Sequence, residues 1–290
     1  MLTSKTGAID AFGASLIWGF AFITLRWSTD AYGPLWVRSF SLFLVALALI
    51  PIFLLKGRQH KALDRKHLSM TFFPGLALGL CLCLQSVGMK YTSVANSGFL
   101  TVLSVVFVPI GEMFFYGTKI RMVHGFAVLM ALLGAILLCG GLPNEWNRGD
   151  LFTLGCAFMS ACHFLILQKV AKNTGNPFTF NVLQMCWAGI LTLPLSIWLE
   201  PFPEIHLSAK PILSLLFLGL GSMMIGFMLH VRAQRNLSAT VTSLICLLEA
   251  PFASFFAVLF LNESMSFAAI AGAAVIVGAA GIAALTPLKT

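Results

Sequence analysis

The residues best suited to do chemistry in this chain are few, and each stands in an apolar setting. The stretch TSLICLLEAPFASFFAVLFL holds one carboxylate, Glu249, with Pro251 two positions later. Glu249 sits about 11 residues from either end of its apolar run, so roughly 17 Å of helix separates it from each end at 1.5 Å per residue. A side chain there cannot snorkel to an aqueous surface. A charge at the centre of a membrane helix costs about 2.5 to 3.5 kcal/mol on insertion scales, so the acid must face a partner or a wet cavity, or be protonated. Pro251 withdraws one backbone donor and can bend the helix beside the acid. Glu249 is therefore a candidate substrate contact or protonation site, a structural hydrogen bond between helices being the plainer account.

Other polar side chains share that setting. His163 is read as the one histidine in the middle of an apolar run, where it is either satisfied by a neighbouring helix or part of a cavity wall and pH-responsive. Gln85 and Asn96 are uncharged groups able to hydrogen-bond a polar ligand. Trp18 and Phe22, four residues apart, share one helix face. Arg38, one turn inside its run, is expected to pair with Asp30 or to stand at an outer mouth. Glu112 is expected to pair with Lys119 or Arg121. Asp10 and Asp150 read as first-turn residues favoured by the positive end of a helix, and Arg26 reads as an interfacial anchor beside Trp27.

The elements that must position these groups follow from composition. Hydrophobic residues make up 59% of the 290 and charged residues 10%, with a mean hydropathy of +0.93, against about 25% charged in soluble domains. This is the composition of a membrane protein. About 20 apolar residues cross the hydrocarbon core as a helix, and ten such runs are present, near 7–27, 34–55, 70–90, 93–116, 121–141, 150–170, 178–199, 210–232, 238–261 and 265–286. They are continuous, which excludes the alternating segments of a β-barrel. The net charge of +8 comes from basic residues in the gaps between runs, not from a nucleic-acid-binding face. Lys56, Arg58, Lys61, Arg65 and Lys66 crowd one side, with Lys119, Arg121, Lys169, Lys172, Arg232 and Arg235, while the other side holds Arg26, Lys90, Arg148 and Lys210. By the positive-inside rule both termini are expected in the cytoplasm of a plasma (inner) membrane protein, with an uncleaved first span. The seven cysteines lie in apolar runs without C-x-x-C or zinc-spaced histidines, and read as small hydrophobes. No metal or other cofactor is expected.

The chain also repeats. IDAFGASLIWGFAF can be laid over GDLFTLGCAFMSAC, YGPLWVRSF over TGNPFTFNV (Arg38 over Asn181), and KYTSVA over RNLSAT, while Gly125 and Gly134 recur as Gly272 and Gly281. The division is 1–141, a connecting loop 142–149 on the extracytoplasmic side, and 150–290. Each half holds five spans, an odd number, so the second enters the membrane from the opposite face. Inverted repeats of this kind frame the central site of many secondary transporters. LIWGFAF, PLWVRSF, GMKYTSVANSGFLTVLSVVFVPI and LLEAPFASFFAVLFLNE together resemble the drug/metabolite transporter superfamily, specifically its EamA-type members, over nearly the whole chain. The resemblance implies an all-α, ten-helix fold around a central cavity. It puts Trp18 and Phe22 beside that cavity, with the Arg38 position, Glu249 and Pro251. The family often has an acid at the end of both the fourth and the ninth helix. Here Glu263 stands after the ninth, but Thr118 and Lys119 after the fourth.

The expected function is secondary transport of a small polar or amphipathic metabolite, such as an amino acid, amine or nucleobase-like compound, by alternating access. The partners are that substrate and the lipid bilayer, with no nucleic acid. Proton coupling through Glu249 or His163 is one option and facilitated diffusion another. No G-x-x-x-x-G-K-[ST] motor motif is present. A channel lacks a filter motif, and an enzyme is disfavoured because the longest loop, KGRQHKALDRKH, has two histidines but no nucleophile or metal cluster.

Overall fold

The computed structural model describes residues 2–51, 65–92, 94–141, 146–173, 175–204 and 208–286, with backbone alone at 2–3 and 94–96. Most of the longest loop and residues 142–145 of the connecting loop lie outside them. Among the described residues the secondary structure is helical: α1 (Leu2–Tyr32), α2 (Pro34–Leu47), α3 (Arg65–Gly88), α4 in two pieces (Val94–Val102 and Ser104–Tyr116), α5 (Met122–Leu138), α6 (Arg148–Ala171) and α7 (Pro177–Leu199). Then come α8 in three (Ala209–Leu216, Phe217–Gly226 and Phe227–Asn236), α9 in two (Ala239–Cys246 and Glu249–Leu261) and α10 (Phe267–Leu285). Nine of these are long and apolar enough to cross a membrane, and α5, with 17 residues, is the shorter tenth. The first helix starts earlier than hydropathy marks it, because its opening turns carry Thr3, Ser4, Lys5 and Thr6.

The packing repeats when the halves are exchanged. α5 lies along α10, and α2 along α7, each pair formed from equivalent helices. The α3–α6 pair of one side has its counterpart in α1–α8, and α4–α6 in α9–α1. The α5–α10 pair is closest at two glycines. A Cβ at Gly134 would lie 2.8 Å from the Gly272 carbonyl, and one at Gly272 only 2.5 Å from the Gly134 carbonyl. Small residues thus let two backbones meet where hydrocarbon offers no hydrophobic drive to press them together.

Helix ends are tied across the halves. Glu200, after α7, accepts from Leu35 N at 3.0 Å, at the start of α2, and pairs with Lys90 at 2.7 Å. At the opposite face Glu112 of α4 does the same for α9, accepting from Thr240 N at 3.1 Å and from the Thr240 hydroxyl. Glu112 is therefore a buried helix cap and not the interfacial ion pair expected from its neighbours. The reason is that α9 brings unpaired N–H groups to it, a demand invisible in the local sequence. Asp10 is also displaced from its expected role. Because α1 begins at Leu2, Asp10 lies past the first turn and pairs with Arg232 of α8 at 3.2 Å. Asp150 keeps its place, closing a capping box with Asn147 at the start of α6. Arg26 meets Glu263 at 3.2 Å, linking the ends of α1 and α9.

The two glycines generate a test. Gly134→Ala should lower the thermal stability of the purified protein by an amount in the 1 to 3 kcal/mol range of overpacked sites. Gly125→Ala has open space around its new methyl group, and should leave the melting temperature unchanged or raised, since alanine favours a helix by about 1 kcal/mol over glycine. Equal melting shifts for the two variants would contradict the close approach of α5 and α10.

Candidate functional site

Between the halves lies a cavity with room for water-sized centres over about 130 Å³, walled by α1, α2, α3, α4, α6, α8 and α9. Trp18, Phe22, Gln85, His163 and Glu249 all line it, as do Arg38 and His230. The side chain of Asn96 lies outside the described residues. Each helix supplies its lining residues for a physical reason, and three of those helices depart from regular α geometry there.

The first departure is in α9. Pro251 has no N–H to give Leu247, and its ring crowds that carbonyl. The chain tightens accordingly: Leu248 N bonds Ile245 O at 3.0 Å and Ala250 N bonds Leu247 O at 3.0 Å, both three residues back. The turn tightens at Leu247 and Leu248 inside one continuous span, Ala239–Leu261. The N–H groups of Leu247, Leu248, Ala250 and Phe252 are bonded back along the chain, and Glu249 directly follows that tight turn. It faces the cavity half-buried, and among the described residues no side chain bonds or ion-pairs with it. The matching helix α4 narrows in the same way at Leu103, where Val106 N bonds Leu103 O at 3.0 Å, setting Thr101 and Ser104 in the wall.

Helix α8 departs in the other sense. From Phe217 to Gly226 it widens into π-helical turns, a form that is rare and frequently found at functional sites. Asn181 of α7 stabilises it by donating to the Met223 carbonyl at 3.0 Å and the Met224 carbonyl at 2.9 Å. Those two bonds fix a chain of polarities. Since the Asn181 amide nitrogen is spent on carbonyls, its oxygen accepts from Gln184 Nε2 at 2.8 Å. The Gln184 oxygen is then the acceptor for His163 Nε2 at 3.2 Å. His163 donates through Nε2, and in its neutral form Nδ1 carries the lone pair.

Arg38 corrects its expected pairing with Asp30. It is 5% exposed, its Nε donating to Ser86 Oγ at 3.2 Å and its Nη2 to Gln85 Oε1 at 2.8 Å. These are neutral oxygens of α3, and among the described residues no carboxylate meets the guanidinium. The helical register decides this: Arg38 turns inward with the buried residues Leu35, Leu42 and Val45, toward α3 and the cavity, away from its own loop.

His230 was missed by reading His163 as the only deep histidine. It is 1% exposed, and among the described residues neither ring nitrogen has a hydrogen-bond partner. Rings of Phe164 at 4.5 Å, His163 at 5.5 Å and Trp18 at 5.6 Å surround it. The indole nitrogen of Trp18 is likewise buried without a partner, close against Gly226, where a Cβ would come within 2.7 Å. His230 lies so near Arg232 and Arg235 in the sequence that it reads as interfacial, and only the three-dimensional packing of α8 on α1 and α6 reveals it. His124 is a further buried histidine, bonding the Thr286 carbonyl at 2.9 Å where α5 meets the end of α10. The cysteines also divide: Cys81, Cys156 and Cys246 line the cavity instead of serving only as packing.

The model of the EamA-like transporter family matches residues 5–140 and again 147–285. The chain belongs to the EamA-like transporter family. An uncharacterized transporter of Archaeoglobus fulgidus is 27% identical over 252 residues, covering 87% of this chain and 77% of that protein. The uncharacterized transporter YoaV of Bacillus subtilis is 23% identical over 274 residues, 92% of this chain and 93% of its own. A chloroplastic WAT1-related protein of Arabidopsis thaliana is 24% identical over 273 residues, 89% of this chain and 64% of its own. One solved crystal structure superposes over 96% of both chains with a TM-score of 0.77 at 19% identity, a likeness of fold. The EamA chain is thus a multi-pass membrane transporter built of two repeats.

The bond chain through Asn181 carries a prediction. Asn181→Ala leaves two carbonyls of α8 and the amide of Gln184 without partners, at about 1 to 3 kcal/mol for each group left buried and unmet. Asn181→Asp removes the donors and sets a carboxylate against the same two carbonyls. Melting of the purified protein at neutral pH should fall in the order wild type, Asn181→Ala, Asn181→Asp. An aspartate variant as stable as wild type would refute the assigned polarity.

Proposed function

We propose that this protein is a secondary transporter that carries a small amphipathic metabolite through the central cavity by alternating access. The observation that carries the reading is a pair of uncompensated ionisable groups around one cavity: Arg38, bonded to neutral oxygens alone, and Glu249, each without an ion-pair partner among the described residues. Burying one charge alone costs several kcal/mol, and a ligand that presents an anionic group to Arg38 and a cationic or donor group to Glu249 meets both. The aromatic faces of Trp18, Phe22 and Phe227 suit its apolar part. Gln85 orients Arg38, and His163 offers a lone pair at Nδ1.

The two packings needed for alternating access are supported by the repeat itself, since exchange of the halves turns one set of packed helix pairs into the other. On the side where α8 ends and α9 begins, Asp10–Arg232 and Glu112–Thr240 tie helices of the two halves together. The distribution of Lys and Arg favours that side as the cytoplasmic one, with both termini there and the protein in the plasma (inner) membrane. Glu249 and His163 are the groups through which a proton gradient would act.

Melting measurements with defined compounds test the charge reading. Leucine should stabilise the purified protein, by about 2.7 kcal/mol at a concentration a hundred times its dissociation constant. Leucinamide, lacking the carboxylate, and 4-methylpentanoate, lacking the amine, should stabilise it far less. Arg38→Gln should abolish the preference for leucine over leucinamide, and Glu249→Gln the preference for leucine over 4-methylpentanoate. Indifference of the wild type to all three would exclude this ligand class. In proteoliposomes, leucine counterflow unaffected by an imposed pH gradient would remove proton coupling and leave facilitated exchange.

A further inference from the structure

The cavity wall holds a chemistry that transport of an amphipathic metabolite does not use. Cys81 of α3 and Cys156 of α6 place their Sγ atoms 3.5 Å apart. Both thiols line the cavity, Cys81 half-buried at its surface and Cys156 1% exposed behind it. They belong to different halves, at one of the two equivalent helix pairs that join the repeats. Neither is in a disulfide. The other cavity-lining cysteine, Cys246, sits on α9.

Two sulfurs in contact, one of them reachable from a water-sized space, form a bidentate soft-ligand site. A disulfide would need the sulfurs to close from 3.5 Å to about 2.05 Å. A single larger thiophilic atom bonded to both sulfurs needs no such closure. We propose that Cys81 and Cys156 form a dithiol site for trivalent arsenicals and chemically similar thiophilic compounds of two open valences, which bridge the two halves of the transporter at the cavity wall. With phenylarsine oxide the step is balanced without an oxidant. Two arsenic–sulfur bonds form and the arsenic–oxygen bond breaks. The two thiol protons leave with that oxygen as one water, and arsenic stays trivalent. The phenyl group then occupies cavity space that a ligand would need, and the bridge ties α3 to α6.

This site stands independently of the transported compound, so its test needs no substrate. Purified wild-type protein treated with phenylarsine oxide should gain one phenylarsenic per chain by intact mass. The adduct should survive 2-mercaptoethanol and be removed by 2,3-dimercaptopropanol, and peptide mapping should join the segments containing Cys81 and Cys156. Cys81→Ser and Cys156→Ser should each lose the adduct. A chain with Cys83, Cys139, Cys162, Cys186 and Cys246 all changed to alanine should keep it. A dithiol-reversible adduct that persists in either serine variant, that maps to other cysteines, or that never forms on wild-type protein would overturn the assignment. The peptide map on wild-type protein decides the matter even where a variant fails to fold.

Discussion

The constraint on which this structure turns is that hydrocarbon leaves no polar group a partner outside the protein. Every N–H, carbonyl and charge at membrane depth must be met from within, or must border water. Most are met here. Asn181 takes two carbonyls, Gln184 takes Asn181 and His163, and Glu112 and Glu200 take the first amides of α9 and α2. Among the described residues some polar atoms are still left over, at Thr29, His124 and Gln234 away from the cavity. Arg38, Glu249, His230 and the indole nitrogen of Trp18 are also short of a complement, and these four border one cavity.

The backbone is shaped by the same constraint. Irregular helix geometry is tolerated in a membrane where it is buried in protein or lines a cavity. The narrow turns of α4 and α9 and the wide turns of α8 all do so. A tight turn at Leu247 precedes Glu249, and widening at Phe217–Gly226 frees carbonyls that the Asn181 amide of α7 meets. Proline enforces the first and asparagine supports the second. Both irregular stretches carry residues of the cavity wall.

The parts of this that can be read from the sequence are those encoded locally. Apolar runs mark the spans because bilayer thickness sets their length, and an odd number of spans per repeat implies inversion. Glu249 stands out because no other charged residue lies nearer than Arg235 and Glu263, more than three turns away on either side. His230 does not, since Arg232 and Arg235 follow it closely and suggest an interface. Arg38 and Glu112 were assigned to charged neighbours in the sequence, yet both turn toward helices far away along the chain. Their partners, Gln85, Ser86 and Thr240, are neutral, so no charge pattern announces them. The wide turns of α8 leave no mark in FLGLGSMMIG, because hydropathy is blind to which carbonyl a distant amide will bind.

Exchange of the halves exposes the most consequential asymmetry. Arg38 on α2 reaches across to α3, and Asn181, its counterpart on α7, reaches across to the equivalent helix α8. Both side chains bridge the same two positions of the repeat, so the scaffold is served equally by either. The difference is electrostatic. An asparagine amide is fully answered by two carbonyls, whereas a guanidinium bonded to a serine hydroxyl and a glutamine oxygen keeps its whole charge. The duplication therefore supplies a repeated frame in which one bridge is a cation and its counterpart a neutral amide. The cavity wall has an electrostatic polarity even though the fold around it is repeated.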